Sequence, residues 1–159
     1  MRISDISRPL SEDVSINPGD LPSTFHQENQ GHYLVGDLHL SSHTSMYIDT
    51  PFHYPKTGDT IDTLPVSCLI GKCQMLDVTG AGTITANHLK SRLDGVNRSP
   101  VKMDFPLKDQ FDEIYPALGL DAVHMITGLG MNWVGIDTPS IELDSSPARI
   151  ALLVRNREG

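Results

Sequence analysis

The chain has 159 residues, enough for one compact domain of ordinary size, and its 38% apolar share supplies an adequate core that excludes the disordered class. Twelve basic residues against twenty acidic ones give a formal charge of -8, and a surface of that sign repels phosphate backbones and anionic lipid. Nucleic acid and membrane are therefore set aside as partners, and a small-molecule substrate is expected.

Residues 8–23 are turn chemistry: Pro9 discourages helix, and Pro18-Gly19-Asp20 fixes a reversal. Tyr33, Val35, Leu38 and Leu40 then mark a strand over 33–41. Hydroxyls, histidines and prolines dominate Ser41 to Pro55, which reads as a loop or a broken strand. Gln74 to Thr79 predicts a short strand closed by Gly80. Thr85 is placed to cap a helix through Leu93, because Leu89 and Leu93 share a face and Gly95 stops it. Val101 to Phe105 reads as a strand and Ala122 to Leu129 as a helix ended by Gly130. Trp133 to Ile136 reads as a buried strand, and Pro147 opens a last helix through Leu153. Strands alternating with helices predict an α/β domain, here a single one over residues 1–159 with no internal repeat.

Cys68 and Cys73, with four residues between them, match neither a disulfide framework nor a CxxC redox or zinc pattern. They read as reduced packing residues. No apolar run is long enough to span a bilayer, and no basic-then-apolar leader opens the sequence, so a cytoplasmic location is expected.

The richest polar stretch is His43-Thr-Ser-Met-Tyr47-Ile-Asp49-Thr-Pro51-Phe-His53. Imidazole nitrogen and carboxylate oxygen suit a borderline divalent ion such as zinc, with manganese as the alternative. In an extended segment residues of equal parity face one way, so His39, His43, Tyr47, Asp49 and His53 could converge, with Pro51 stiffening the last step. Residue types and spacing alone leave a second reading open, in which these are ordinary polar residues at a strand end. His124 reads as a core histidine and Trp133 as core; His26, His32 and His88 read as surface residues.

The stretch resembles the metal motif His-x-Gly-x-His-x-Asp-x-Pro-x-His of the cyclase family, which includes kynurenine formamidases. His43, Asp49, Pro51 and His53 match, while Ser45 stands for the glycine and Tyr47 for the central histidine. Asp5 to Leu10 is similar to the family's opening strand, and Pro18-Gly19-Asp20 to its early turn. Gly135-Ile136-Asp137-Thr138-Pro139-Ser140-Ile141 resembles its later signature, with Glu142 for an aspartate. The resemblance implies a swivelling β/β/α-type fold, a mixed sheet flanked by helices, and a homo-oligomer. It implies a divalent metal, zinc or manganese, held by His43 and Asp49, with Tyr47 at the remaining ligand position and His53 as the acid/base. The implied reaction is hydrolysis of a small amide, N-formyl-kynurenine giving kynurenine and formate.

The sequence also departs from the family. Aligning Leu152-Leu153 sets Arg149 at the place of a later histidine ligand, and a guanidinium has no lone pair to offer a metal. The late glutamate falls beyond Gly159 and the family's last strand is expected to be missing. These departures favour an alternative, a non-catalytic pseudoenzyme acting as a binding or oligomer-forming module.

Overall fold

The computed structural model describes residues 7–53, 57–90, 92–105 and 111–141. The helix expected from Pro147, Arg149, Glu142 and the question of a last strand lie outside these residues, as does part of the opening segment. The chain divides into two compact units, Met1–Ile48 with Leu107–Glu113, and Asp49–Pro106 with Ile114–Gly159.

The first unit is built on an antiparallel hairpin of β1 (Thr24–Asn29) and β2 (Leu34–His39), with Phe25 opposite Leu38 and Asn29 opposite Leu34. The second strand falls within the expected range. The first was not foreseen, because Thr-Phe-His-Gln-Glu-Asn lacks an apolar alternation; its pairing, not its propensity, makes it a strand. The turn carries its own chemistry: Gly31 sits at φ 88° and donates its N–H to Asn29 Oδ1 at 2.8 Å. Upstream, Asp20 N–H donates to Asn17 O at 3.0 Å with Gly19 at φ 97°, the reversal expected from Pro18-Gly19.

The second unit holds the main core. A parallel sheet runs in the order β3 (Leu76–Asp77), β5 (Arg98–Lys102), β7 (Trp133–Ile136), and a separate parallel pair joins β4 (Thr83–Ile84) to β6 (Ala117–Leu118). Two helices, α1 (Ala86–Leu89) and α2 (Leu120–Gly128), lie in the connections between the sheet strands. Mixed strand directions with interleaved helices bear out the α/β class. Leu76, Ile84, Leu89 and Ala122 are fully buried in one cluster with Val101 and Ile126.

Helix α1 is shorter than expected. Thr85 is its N-cap, but the backbone of Lys90 leaves helical space at ψ 137°. Leu93 is still buried, carried there by a turn that ends at Gly95, φ 73°. His88, read as a surface residue without a role, completes the cap: the Thr85 N–H donates to its Nδ1 at 3.0 Å. Helix α2 begins two residues before the expected Ala122 and ends at the foreseen Gly130, φ 65°. Its Asp121 carboxylate accepts the Ala86 N–H at 2.9 Å, tying the start of one helix to the other.

Two expectations are corrected here. His124 is exposed, because Ala122, Val123 and Ile126 take the inward face of α2. Trp133 to Ile136 is only partly buried. Trp133 itself packs against Leu64 and Cys68, and its indole N–H is the one buried side-chain donor without an acceptor among the described residues. Both cysteines are free thiols, as expected.

Exposed charges cluster beside the sheet. The Thr79 hydroxyl and N–H, and then Lys102, hold the Asp77 carboxyl below its usual range. That stabilisation is present above the ordinary carboxylate pKa and is lost as acid protonates the folded form, which an NMR titration of Asp77 checks. Leu89→Ala is expected to lower unfolding free energy by about 2–5 kcal/mol. His88→Ala, removing only the cap, is expected to cost about 1 kcal/mol, both read from urea midpoints.

Candidate metal centre

The segment leaving β2 is shaped by turns. Thr44 N–H donates to Ser41 O at 3.2 Å, and His43 N–H to Ser41 Oγ at 3.2 Å. Thr44 is buried, where its hydroxyl accepts from Ser23 Oγ at 3.4 Å. Ser45 follows in the left-handed region, φ 60°, with its hydroxyl donating to Pro9 O at 3.3 Å. This is the position at which the motif has glycine, and the backbone keeps the conformation a glycine adopts without strain.

The far end of the segment is a 3-10 turn, Pro51–His53. His53 N–H donates to Thr50 O at 2.9 Å, and Phe52 N–H to Asp59 O at 3.1 Å. Pro51 is buried, and Gly58 lies so close that a Cβ there would sit 2.4 Å from the Pro51 carbonyl carbon. Only glycine permits that approach, so Gly58 and Asp59 fix the turn carrying His53. The sequence reading passed over both, though a glycine following a proline-rich loop was the available signal.

These turns bring His43, Asp49 and His53 together: one ligand atom from each lies within 4.8 Å of the others. His53 Nδ1 is 3.8 Å from Asp49 Oδ1. His43 is half-buried while Asp49 and His53 are solvent-accessible. The convergence does not arise as expected, from equal parity along an extended strand. A left-handed residue and a 3-10 turn break the segment, and His39, of the same parity, is not part of the group. Tyr47 stacks obliquely on His43, ring centroids 4.9 Å apart and planes at 51°.

The donor set fits a divalent ion. His43 and Asp49 supply an imidazole and a carboxylate, donor types that suit zinc, and His53 stands beside them as a second imidazole. Ion–ligand bonds of about 2.0–2.2 Å require ligand atoms about 3.4 Å apart. The His43, Asp49 and His53 group spans up to 4.8 Å, wider than that.

The later signature has a structural task in this unit. The two Asp137 carboxylate oxygens accept the N–H groups of Met103, at 2.8 Å, and Asp104, at 2.9 Å. This clamps the end of β7 to the chain leaving β5, where Asp104 is left-handed at φ 58°. Ile141 O accepts the Leu118 N–H at 3.0 Å, fastening the signature's end to β6.

Two outcomes test this local geometry. Ser45→Gly should exceed Ser45→Ala in stability by about 1 kcal/mol, since only the alanine bears the left-handed penalty. Asp137→Ala should cost about 1–3 kcal/mol by orphaning two backbone donors, with Asp137→Asn intermediate, both measured by denaturant unfolding.

Comparison with known proteins agrees with the motif. A family model described as "Putative cyclase" matches residues 4–143. A kynurenine formamidase of Bacillus thuringiensis (strain Al Hakam) is 33% identical over 144 residues, covering 87% of this chain and 69% of the relative. That of Bacillus mycoides (strain KBAB4) is 31% identical over the same shares. Among solved structures, a predicted metal-dependent hydrolase from Bacillus stearothermophilus superposes with a TM-score of 0.71 at 23% identity, covering 91% of this chain and 72% of that one. A potential metal-dependent hydrolase with cyclase activity gives 0.72 at 23%, over 87% and 69%. Two signatures in order, a His–Asp–His group and matched relatives lead to one conclusion: the chain belongs to the cyclase family.

Proposed function

We propose that this protein hydrolyses a small amide of the N-formyl-kynurenine kind, releasing kynurenine and formate, with a divalent metal, zinc or manganese, held in the 43–53 loop. The observation that carries this reading is the convergence of His43, Asp49 and His53 within 4.8 Å. His43 and Asp49 act as ligands. Tyr47, stacked on His43, is the further ligand candidate, although a phenol with an ordinary pKa of about 10 is a weak substitute for imidazole. When bound, the ion would lower the pKa of water toward neutrality and polarise the formyl oxygen. His53 takes the proton from the water and delivers it to the departing aniline nitrogen, a task suited to an imidazole. Asp49 lies 3.8 Å away, placed to orient the His53 ring.

Metal content per chain and turnover of N-formyl-kynurenine test this reading. His43→Ala or Asp49→Ala should abolish metal binding, whereas His53→Ala should retain the metal and lower turnover by roughly 10²–10⁴. Tyr47→His should tighten metal binding. Tyr47 in place of histidine favours one competing reading, a pseudoenzyme that serves as a binding or assembly module. That reading wins if no metal binds at neutral pH and Tyr47→His together with Arg149→His fails to create a site.

We further propose that the chain works as a homo-oligomer. Register and parity place Phe25, Leu34 and Leu38 on one hairpin face, where Leu34 is 59% and Leu38 62% exposed. An apolar face of this kind on a two-stranded sheet needs a cover. Sedimentation should show a dimer or larger species at micromolar concentration; a stable monomer refutes it.

A further inference from the structure

The second unit contains a concavity that shares no residue with the 43–53 loop. A cavity of about 440 Å³ opens beside the start of β5, with Lys72, Asp94, Asn97 and Arg98 on its polar side and Leu93 and Leu129 among its apolar walls. That volume lies within the usual range for small-molecule sites, about 300–1,000 Å³.

Arg98 is the unusual group there. It is only 8% exposed, and a guanidinium cannot shed its charge on burial. Its Nε–H donates to Cys68 O at 2.7 Å, Nη1 to Asn97 Oδ1 at 2.6 Å, and Nη2 to Ser67 O. All three acceptors are neutral. Among the described residues no carboxylate forms an ion pair with it. A buried cation without a counter-charge is costly, and a matching anion relieves that cost. Three of the five guanidinium N–H donors are used, which leaves one on each terminal nitrogen. The group is closely held: a Cβ on Gly71 would sit 2.5 Å from Nη1, so the bare backbone runs against the guanidinium.

Lys72 adds a second positive charge to the lining and Asp94 one negative charge, so the cavity has a net charge of one positive. A guanidinium fork with a neighbouring ammonium suits a carboxylate. The single net charge matches a monoanion better than a dianion, and the leucines match an apolar body. We propose that this cavity binds a small organic monocarboxylate, its carboxylate held by Arg98 and Lys72 and its body against Leu93 and Leu129.

The test uses the full chain, ¹⁵N-labelled and titrated with benzoate, with acetate and inorganic phosphate in parallel. Benzoate should bind saturably and shift the amide resonances of Gly95, Val96 and Asn97, with acetate weaker for lack of an apolar body. Lys72 is exposed, so Lys72→Glu keeps the fold, checked by an unchanged urea midpoint, and should weaken benzoate about fivefold. Asp94→Asn should tighten it. Binding should persist in EDTA, which separates this site from the metal centre. No saturable shift at those amides, phosphate binding more tightly than benzoate, or a Lys72→Glu variant of unchanged affinity would each overturn the proposal and leave Arg98 as a purely structural tie to residues 67–68.

Discussion

In the second unit the structure depends on the double pairing of β5. This strand bonds to both β3 and β7, with Val101 opposite Leu76 on one side and Ile136 on the other. Five residues are a short span for such a task, so both ends are fastened by side chains. At the start, Arg98 grips the carbonyls of residues 67 and 68, which draws the loop before β3 against the sheet. At the finish, Asp137 takes up the donors of Met103 and Asp104. Backbone groups that leave a sheet must find other partners, and here charged side chains supply them. The helices then cover a sheet whose ends are already set.

The same economy governs the 43–53 loop. Its chemistry needs imidazole and carboxylate groups within a few ångströms, yet the loop has no regular element to hold them. The buried Thr44, the left-handed Ser45 and the Pro51 turn pressed against Gly58 do so instead. Ser45 thus holds a left-handed backbone that glycine would adopt without strain, with the cost partly met by the bond to Pro9. Tyr47 is a different kind of exchange. It keeps an aromatic ring against His43 but replaces a neutral nitrogen donor with a phenol that is protonated near neutrality.

Charge is distributed in a way that bears on the cavity beside β5. The chain carries a net -8, which suits keeping anionic polymers away. Against that background the cavity beside β5 stands out, because its buried arginine faces only neutral acceptors. The ion pairs around Lys102 are exposed at the surface and contribute little to stability. Arg98 is buried, where the same charge has far more consequence.

The sequence by itself determined the elements whose signals are local. Trp133 to Ile136 reads as a strand with the observed bounds, and Thr85 and Gly130 mark helix ends, because caps and β-branched runs act over a few residues. It also named His43, Asp49 and His53, since their spacing matches a motif. Only tertiary structure decided how those three meet: the meeting depends on Gly58 against Pro51 and on the φ of Ser45, neither of which residue parity can express. Tertiary pairing likewise made a strand of the polar stretch Thr24–Asn29, whose composition carries no strand signal. The inward face of α2 and the burial of Arg98 were out of reach for the same reason, since each depends on which distant backbone comes to lie beside the side chain.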